Sequence, residues 1–174
     1  MTCRLVLAFV LLVTSAACRA APERAQDGNS SLQLMASDGD WADDSFTGRA
    51  FVCVRLKTDS DVLEDCFGFF PRTKGTALVG GPGVIDKEFD FSRSPPTRPA
   101  DVKVSVTTPI TSEQRRSALA FIRGFDKDFS LTSRNCVLFG NRVASMVGLK
   151  TPRSSTFRTP VEYLNELRKL NPGK

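Results

Sequence analysis

The segment Thr47–Pro71, TGRAFVCVRLKTDSDVLEDCFGFFP, constrains the fold of this chain more than any other. Ala50, Val52, Val54 and Leu56 alternate with larger or polar neighbours, the period of a strand with one apolar face. TDSD is turn chemistry, and Val62 to Phe70 returns as a second strand. A loop of residues 58–61 sets Lys57 opposite Val62, Arg55 opposite Glu64 and Cys53 opposite Cys66. Directly opposed antiparallel residues have Cβ atoms about 4.5–5.5 Å apart. A disulfide needs about 3.5–4.5 Å, which a slightly closed non-hydrogen-bonded pair supplies. The spacing therefore predicts a cross-strand Cys53–Cys66 disulfide, and a loop one residue longer or shorter would abolish it.

Beyond this hairpin, residues 71–100 are dense in Pro and Gly, in GGPGVID and SRSPPTRP, and read as a long irregular connection. DVKVSVTT (101–108) alternates again as a third strand. Thr111, followed by Gln114, opens a helix with a capping-box pattern, and its apolar stripe is Ala118, Leu119, Phe121, Ile122 and Phe125. LTSRNCVLFGNRVASMVGL (131–149) places Cys136 in the first turn of a second helix that stops at Gly148, with Pro152 beyond. Thr159, Pro160 and Glu162 start a third helix carrying Val161, Leu164, Leu167 and Leu170. Antiparallel strands followed by helices make an α+β fold.

The N-terminal run MTCRLVLAFVLLVTSAAC is expected to be a signal peptide over residues 1–17: an early Arg4, an apolar stretch, then small residues. The apolar stretch is too short to span a bilayer. Cys18 follows the small residues, and in a bacterium it would become the lipidated first residue of a lipoprotein, although Ser15 stands where a leucine is usual. Residues 18–45, rich in Ala, Ser, Asp and Gln, are expected to be a flexible linker, with the folded domain over 46–174. The expected location is the periplasm, tethered through lipid or free, or the exterior as a secreted protein. An oxidising compartment permits one disulfide and leaves Cys136 as the remaining thiol of the body.

The chain has 174 residues, a formal net charge of +5 and no histidine. Without imidazole, a zinc or His-based metal site has little to draw on, and no metal or cofactor is expected. Residues 111–174 carry twelve Lys/Arg against five Asp/Glu. For an exported protein this basic half is a solvated face or a contact for an anionic envelope polymer or a partner protein, not for nucleic acid.

Two readings of Cys136 follow from spacing. Cys136, Gly140, Val143 and Val147 share one helical stripe, which makes the cysteine a small core residue. A thiol in a helix's first turn near Arg134 can instead be a nucleophile, with its thiolate favoured by the helix dipole and the positive charge.

TGRAFVCVRL, EDCFGFFP and GPGVID, followed by LTSRNCVLFGNRVASMVGLKTP and TPVEYLNEL, resemble the circularly permuted papain-like hydrolases, relatives of the NlpC/P60 cell-wall peptidases. The resemblance spans about residues 47–170 and implies a permuted papain-like domain. It sets the nucleophile on Cys136 and the general-base histidine on position 49, which here is Arg49. Arginine cannot take the thiol proton and return it to a leaving group. The resemblance thus implies a degenerate site with little or no hydrolysis, binding an envelope peptide or other amide such as a peptidoglycan stem peptide through Arg49, Arg134 and Asn135. Two alternatives stand beside it. One is an active cysteine hydrolase or acyltransferase using Cys136 with a base other than histidine. The other is a secreted or lipid-tethered interaction module with a basic C-terminal face. By strand alternation Arg49 lies with Phe51 and Cys53, away from Ala50, Val52 and Val54.

Overall fold

A computed structural model describes residues 29–38, 48–73, 80–86, 102–125, 128–153 and 159–174. The expected signal peptide and Cys18 lie outside the described residues. The fold is α+β. Strands β1 (Ser30–Ser37), β2 (Arg49–Lys57), β3 (Val62–Pro71), β4 (Gly81–Asp86) and β5 (Val102–Pro109) precede helix α1 (Ser112–Arg123). The short β6 (Asp128–Phe129), then α2 (Cys136–Met146) and α3 (Pro160–Leu170), complete it. One antiparallel sheet runs in the order β5-β1-β2-β3-β4-β6.

The hairpin forms in the expected register, with Lys57 opposite Val62, Arg55 opposite Glu64 and Cys53 opposite Cys66. Cys53 and Cys66 are disulfide-bonded. Its turn is closed by Thr58, whose amide donates to the Asp61 carbonyl at 2.8 Å and whose hydroxyl oxygen accepts from the Asp61 amide at 3.0 Å.

Two stretches read as irregular are strands. Ser30–Ser37, inside the expected linker 18–45, is β1, paired with β2 on one side and β5 on the other. Leu32, Leu34 and Ala36 alternate into the core. This apolar set is short and lies among Ser, Gln and Asp, so composition hides it; pairing on both edges makes it a strand. GPGVID within 71–100 is β4, recruited by the end of β3 through Phe69 opposite Ile85 and Phe70 opposite Val84.

The helices cover one face of the sheet. Leu32, Leu34, Val52, Val54, Phe67, Phe69, Val104 and Val106 meet Ala118, Ile122, Phe139, Val143, Leu164 and Leu167 in a single core. Phe69, Phe121, Phe125, Phe129 and Phe139 form an aromatic cluster within it, with the rings of Phe69 and Phe125 edge to face at 4.9 Å. The predicted capping box of Thr111 with Gln114 is present, and Thr159, read as a helix start, forms a second one with Glu162. Polar side chains lock the helices together. Gln114 Nε2 donates to the Val147 carbonyl at 3.1 Å, and the Tyr163 hydroxyl donates to Asn141 Oδ1 at 3.0 Å. Helix α3 buries Tyr163, Leu164 and Leu167, while Leu170, expected on its inner stripe, lies in its last turn and is exposed.

The opposite face carries a smaller cluster of Met35, Phe51, Cys53 and Cys66. Among the described residues no helix is long and apolar enough to cross a membrane.

Candidate functional site

Cys136 opens α2, and α2 packs across β2 and β3. The helix is started by Asn135, whose Oδ1 accepts from the Leu138 amide at 2.9 Å and whose Nδ2 donates to the Leu131 carbonyl at 2.6 Å. Both ends of this buried amide are engaged in the local fold, so Asn135 shapes the helix start. The turn before it is fixed by Ser130 and Arg134, whose backbones pair in both directions at 2.8 Å. The Arg134 side chain is exposed.

The fold brings Cys136 to the first residues of β2. The amides of Ala50, Cys136 and Val137 point at the sulfur, and the Arg49 charge lies within electrostatic range. All four favour thiolate, yet burial outweighs them and pushes the Cys136 thiol above its ordinary value of 9.0. Cys136 as a residue is only half-buried. Burial around the sulfur nonetheless dominates its titration. The expectation of an acidic, thiolate-favouring cysteine is therefore corrected. The influences favouring thiolate are the three backbone amides and the Arg49 charge, and desolvation of the sulfur outweighs them.

Arg49 follows strand alternation. Its guanidinium carbon lies 5.8 Å from the centroid of the Phe70 ring. The Phe70 ring in turn lies over Gly68, where any Cβ would collide with it. Glycine at 68 thus makes room for the aromatic seat of Arg49 on the face away from the helices, a cation–π arrangement. The two positions matched to a nucleophile and a base are close in space, but the second presents its charged end to the opposite side of the sheet.

No histidine exists in the chain, burial raises the Cys136 thiol, and Arg49, whose charge acts on it, has no proton-accepting capacity. What the site offers is a set of converging backbone donors at the start of a helix.

A second group of chemically capable atoms sits in the hairpin. Cys53 Sγ, Cys66 Sγ and a Glu64 carboxylate oxygen lie within 4.8 Å of one another. With the disulfide closed, the two sulfurs are not ligands. Sequence reasoning located the disulfide but not this juxtaposition, although Glu64 two residues before Cys66 shares its strand face.

Comparison of the chain with protein-family models, with curated proteins and with solved structures finds no match.

Proposed function

We propose that this chain is an exported envelope protein whose domain resembles a permuted papain-like fold with a degenerate site, and that it binds a peptide or other amide-containing ligand without hydrolysing it. One observation carries the reading. The Cys136 sulfur lies among the Ala50, Cys136 and Val137 amides, yet burial holds it as a thiol. Donors of that kind suit a carbonyl or carboxylate oxygen, and a protonated thiol without a base does not attack one. Arg49, the first residue of β2 and seated on Phe70 on the sheet's other face, would meet a ligand carboxylate where the ligand passes the end of that strand. A peptidoglycan stem peptide has both groups.

The test is calorimetric titration with soluble stem peptides, followed by mass spectrometry of the mixture. Binding that Arg49→Ala weakens at least about tenfold, with the peptide recovered intact, supports the reading. Cleaved peptide that disappears in Cys136→Ala would make the protein a hydrolase. Unchanged binding in Arg49→Ala would move the contact elsewhere, to the basic C-terminal half.

A further inference from the structure

The face of the hairpin turned away from α1, α2 and α3 holds a donor set that the reading of Cys136 leaves unused. Gln33, Cys53 and Cys66 form one row across three strands, because Gln33 opposes Cys53 and Cys53 opposes Cys66. Opposed residues share a sheet face, so the three side chains stand together. Glu64 joins them from one pleat away, its carboxylate near both sulfurs. Arg55 Nε holds Glu64 Oε1 at 2.6 Å, which fixes the carboxylate in place and leaves its second oxygen. Gln33 Oε1 is buried and has no hydrogen-bond partner. A buried acceptor left unpaired destabilises the fold, so its presence in this row calls for something to pair with it.

We propose that reduction of the Cys53–Cys66 disulfide turns this row into a binding site for one thiophilic divalent cation, zinc in kind. A dithiol would donate two electrons and two protons, becoming a disulfide itself, while Cys53 and Cys66 become thiols. Metal binding then displaces both thiol protons and forms two metal–thiolate bonds. Glu64 supplies a carboxylate oxygen and Gln33 Oε1 the fourth position, giving two sulfurs and two oxygens. The spacing fits. Tetrahedral zinc with bonds to sulfur of about 2.3 Å sets its sulfurs roughly 3.8 Å apart, inside the 4.8 Å span already occupied by the three donors. The sulfurs have only to separate within a hairpin whose remaining register pairs hold the strands. The cation would then cross-link β2 and β3 where the disulfide had done so.

The proposal is independent of any ligand at Cys136, which lies on the helix-covered side. It is tested on the full chain reduced with a phosphine and titrated with Cd2+ without oxygen, reading the ultraviolet thiolate-to-cadmium band. One cadmium per chain is expected, with the band retained in Cys136→Ser and lost in Cys53→Ser and Cys66→Ser. Glu64→Gln should weaken binding by about tenfold or more. Near-ultraviolet circular dichroism reports whether the site is built on folded protein. The proposal fails if reduced protein shows no band, or if Cys53→Ser binds as tightly as wild type. It also fails if Glu64→Gln and Gln33→Leu both leave affinity unchanged. A dichroism signal lost on reduction and not restored by cadmium overturns it equally, since the donors would then not be held by the sheet.

Discussion

The two faces of one sheet carry the two kinds of cysteine in this protein, and they differ in what fixes them. On the face turned away from α1, α2 and α3, Cys53 and Cys66 meet because a turn of set length puts them in one row. On the helix-covered face, Cys136 meets Ala50 because α2, more than eighty residues later in the chain, docks across β2. The first arrangement is local and geometric. The second depends on packing among α1, α2, α3 and five strands, and its chemistry is set by how completely that packing removes water. The disulfide face should be damaged by breaking a covalent link, and the helix face by opening its core.

The largest loss is expected on the helix face. Phe139 is fully buried and packs against Phe69, Phe121 and Phe125. Phe139→Ala should destabilise by about 3–5 kcal/mol in chemical denaturation. A loss below that of the disulfide variant described next would mean the aromatic cluster is not what holds α1 and α2 to the sheet.

Replacing both Cys53 and Cys66 by serine removes a link across 13 residues of separation. Loop-closure entropy for a loop of that order is about 3 kcal/mol. The Cys136 surroundings lie on the other face and should keep their alkylation rate. If Cys136 becomes more reactive in this double variant, the two faces are coupled and the contrast between them weakens.

Legibility in the sequence follows the same division. The hairpin register, the starts of α1 and α3 and the stop at Gly148 were readable because each rests on residues within about a dozen positions of one another. Strand β1 was not, since SSLQLMAS becomes a strand through partners at 49–56 and 102–109. GPGVID failed for a related reason, its glycines and proline signalling a turn until β3 offers an edge. Of the candidate site, Arg49's direction was readable through strand alternation. The state of the thiol was not. It turns on a balance of desolvation against amide donors and charge, and spacing along a helix does not reveal which is larger.

Smaller effects sharpen the contrast between local and tertiary roles. Thr159→Ala removes one half of a capping box on the surface and should cost about 1 kcal/mol. Asn135→Ala removes a cap and also strips the part-buried Leu131 carbonyl of its donor. It should cost about 2 kcal/mol, because an unpaired part-buried acceptor adds to the lost cap. Equal melting-temperature shifts for the two would show that Asn135 is an ordinary cap and that the turn before α2 does not depend on it.

The smallest effect at neutral pH, and the one that decides what Cys136 is, appears only in alkali. Burial raises the folded thiol above its ordinary 9.0, while the unfolded chain titrates at that ordinary value. Below pH 9 both states hold the proton, and the packing contribution of the side chain is fully present. As pH rises past the unfolded value, the unfolded chain loses its proton first and gains stability relative to the fold. The contribution of Cys136 is therefore lost as pH climbs toward the folded value, at up to about 1.4 kcal/mol per pH unit. Cys136→Ala has no such titration. The stability gap between wild type and this variant, measured by denaturation at a series of pH values, should be constant to about pH 8 and narrow above 9. In folded wild type at pH 8, iodoacetamide should alkylate Cys136 more slowly than a free model thiol. A gap that widens with pH, or alkylation faster than the model, would mean that the amides and Arg49 outweigh desolvation. The helix face would then hold a poised thiolate, and the hydrolase reading would return.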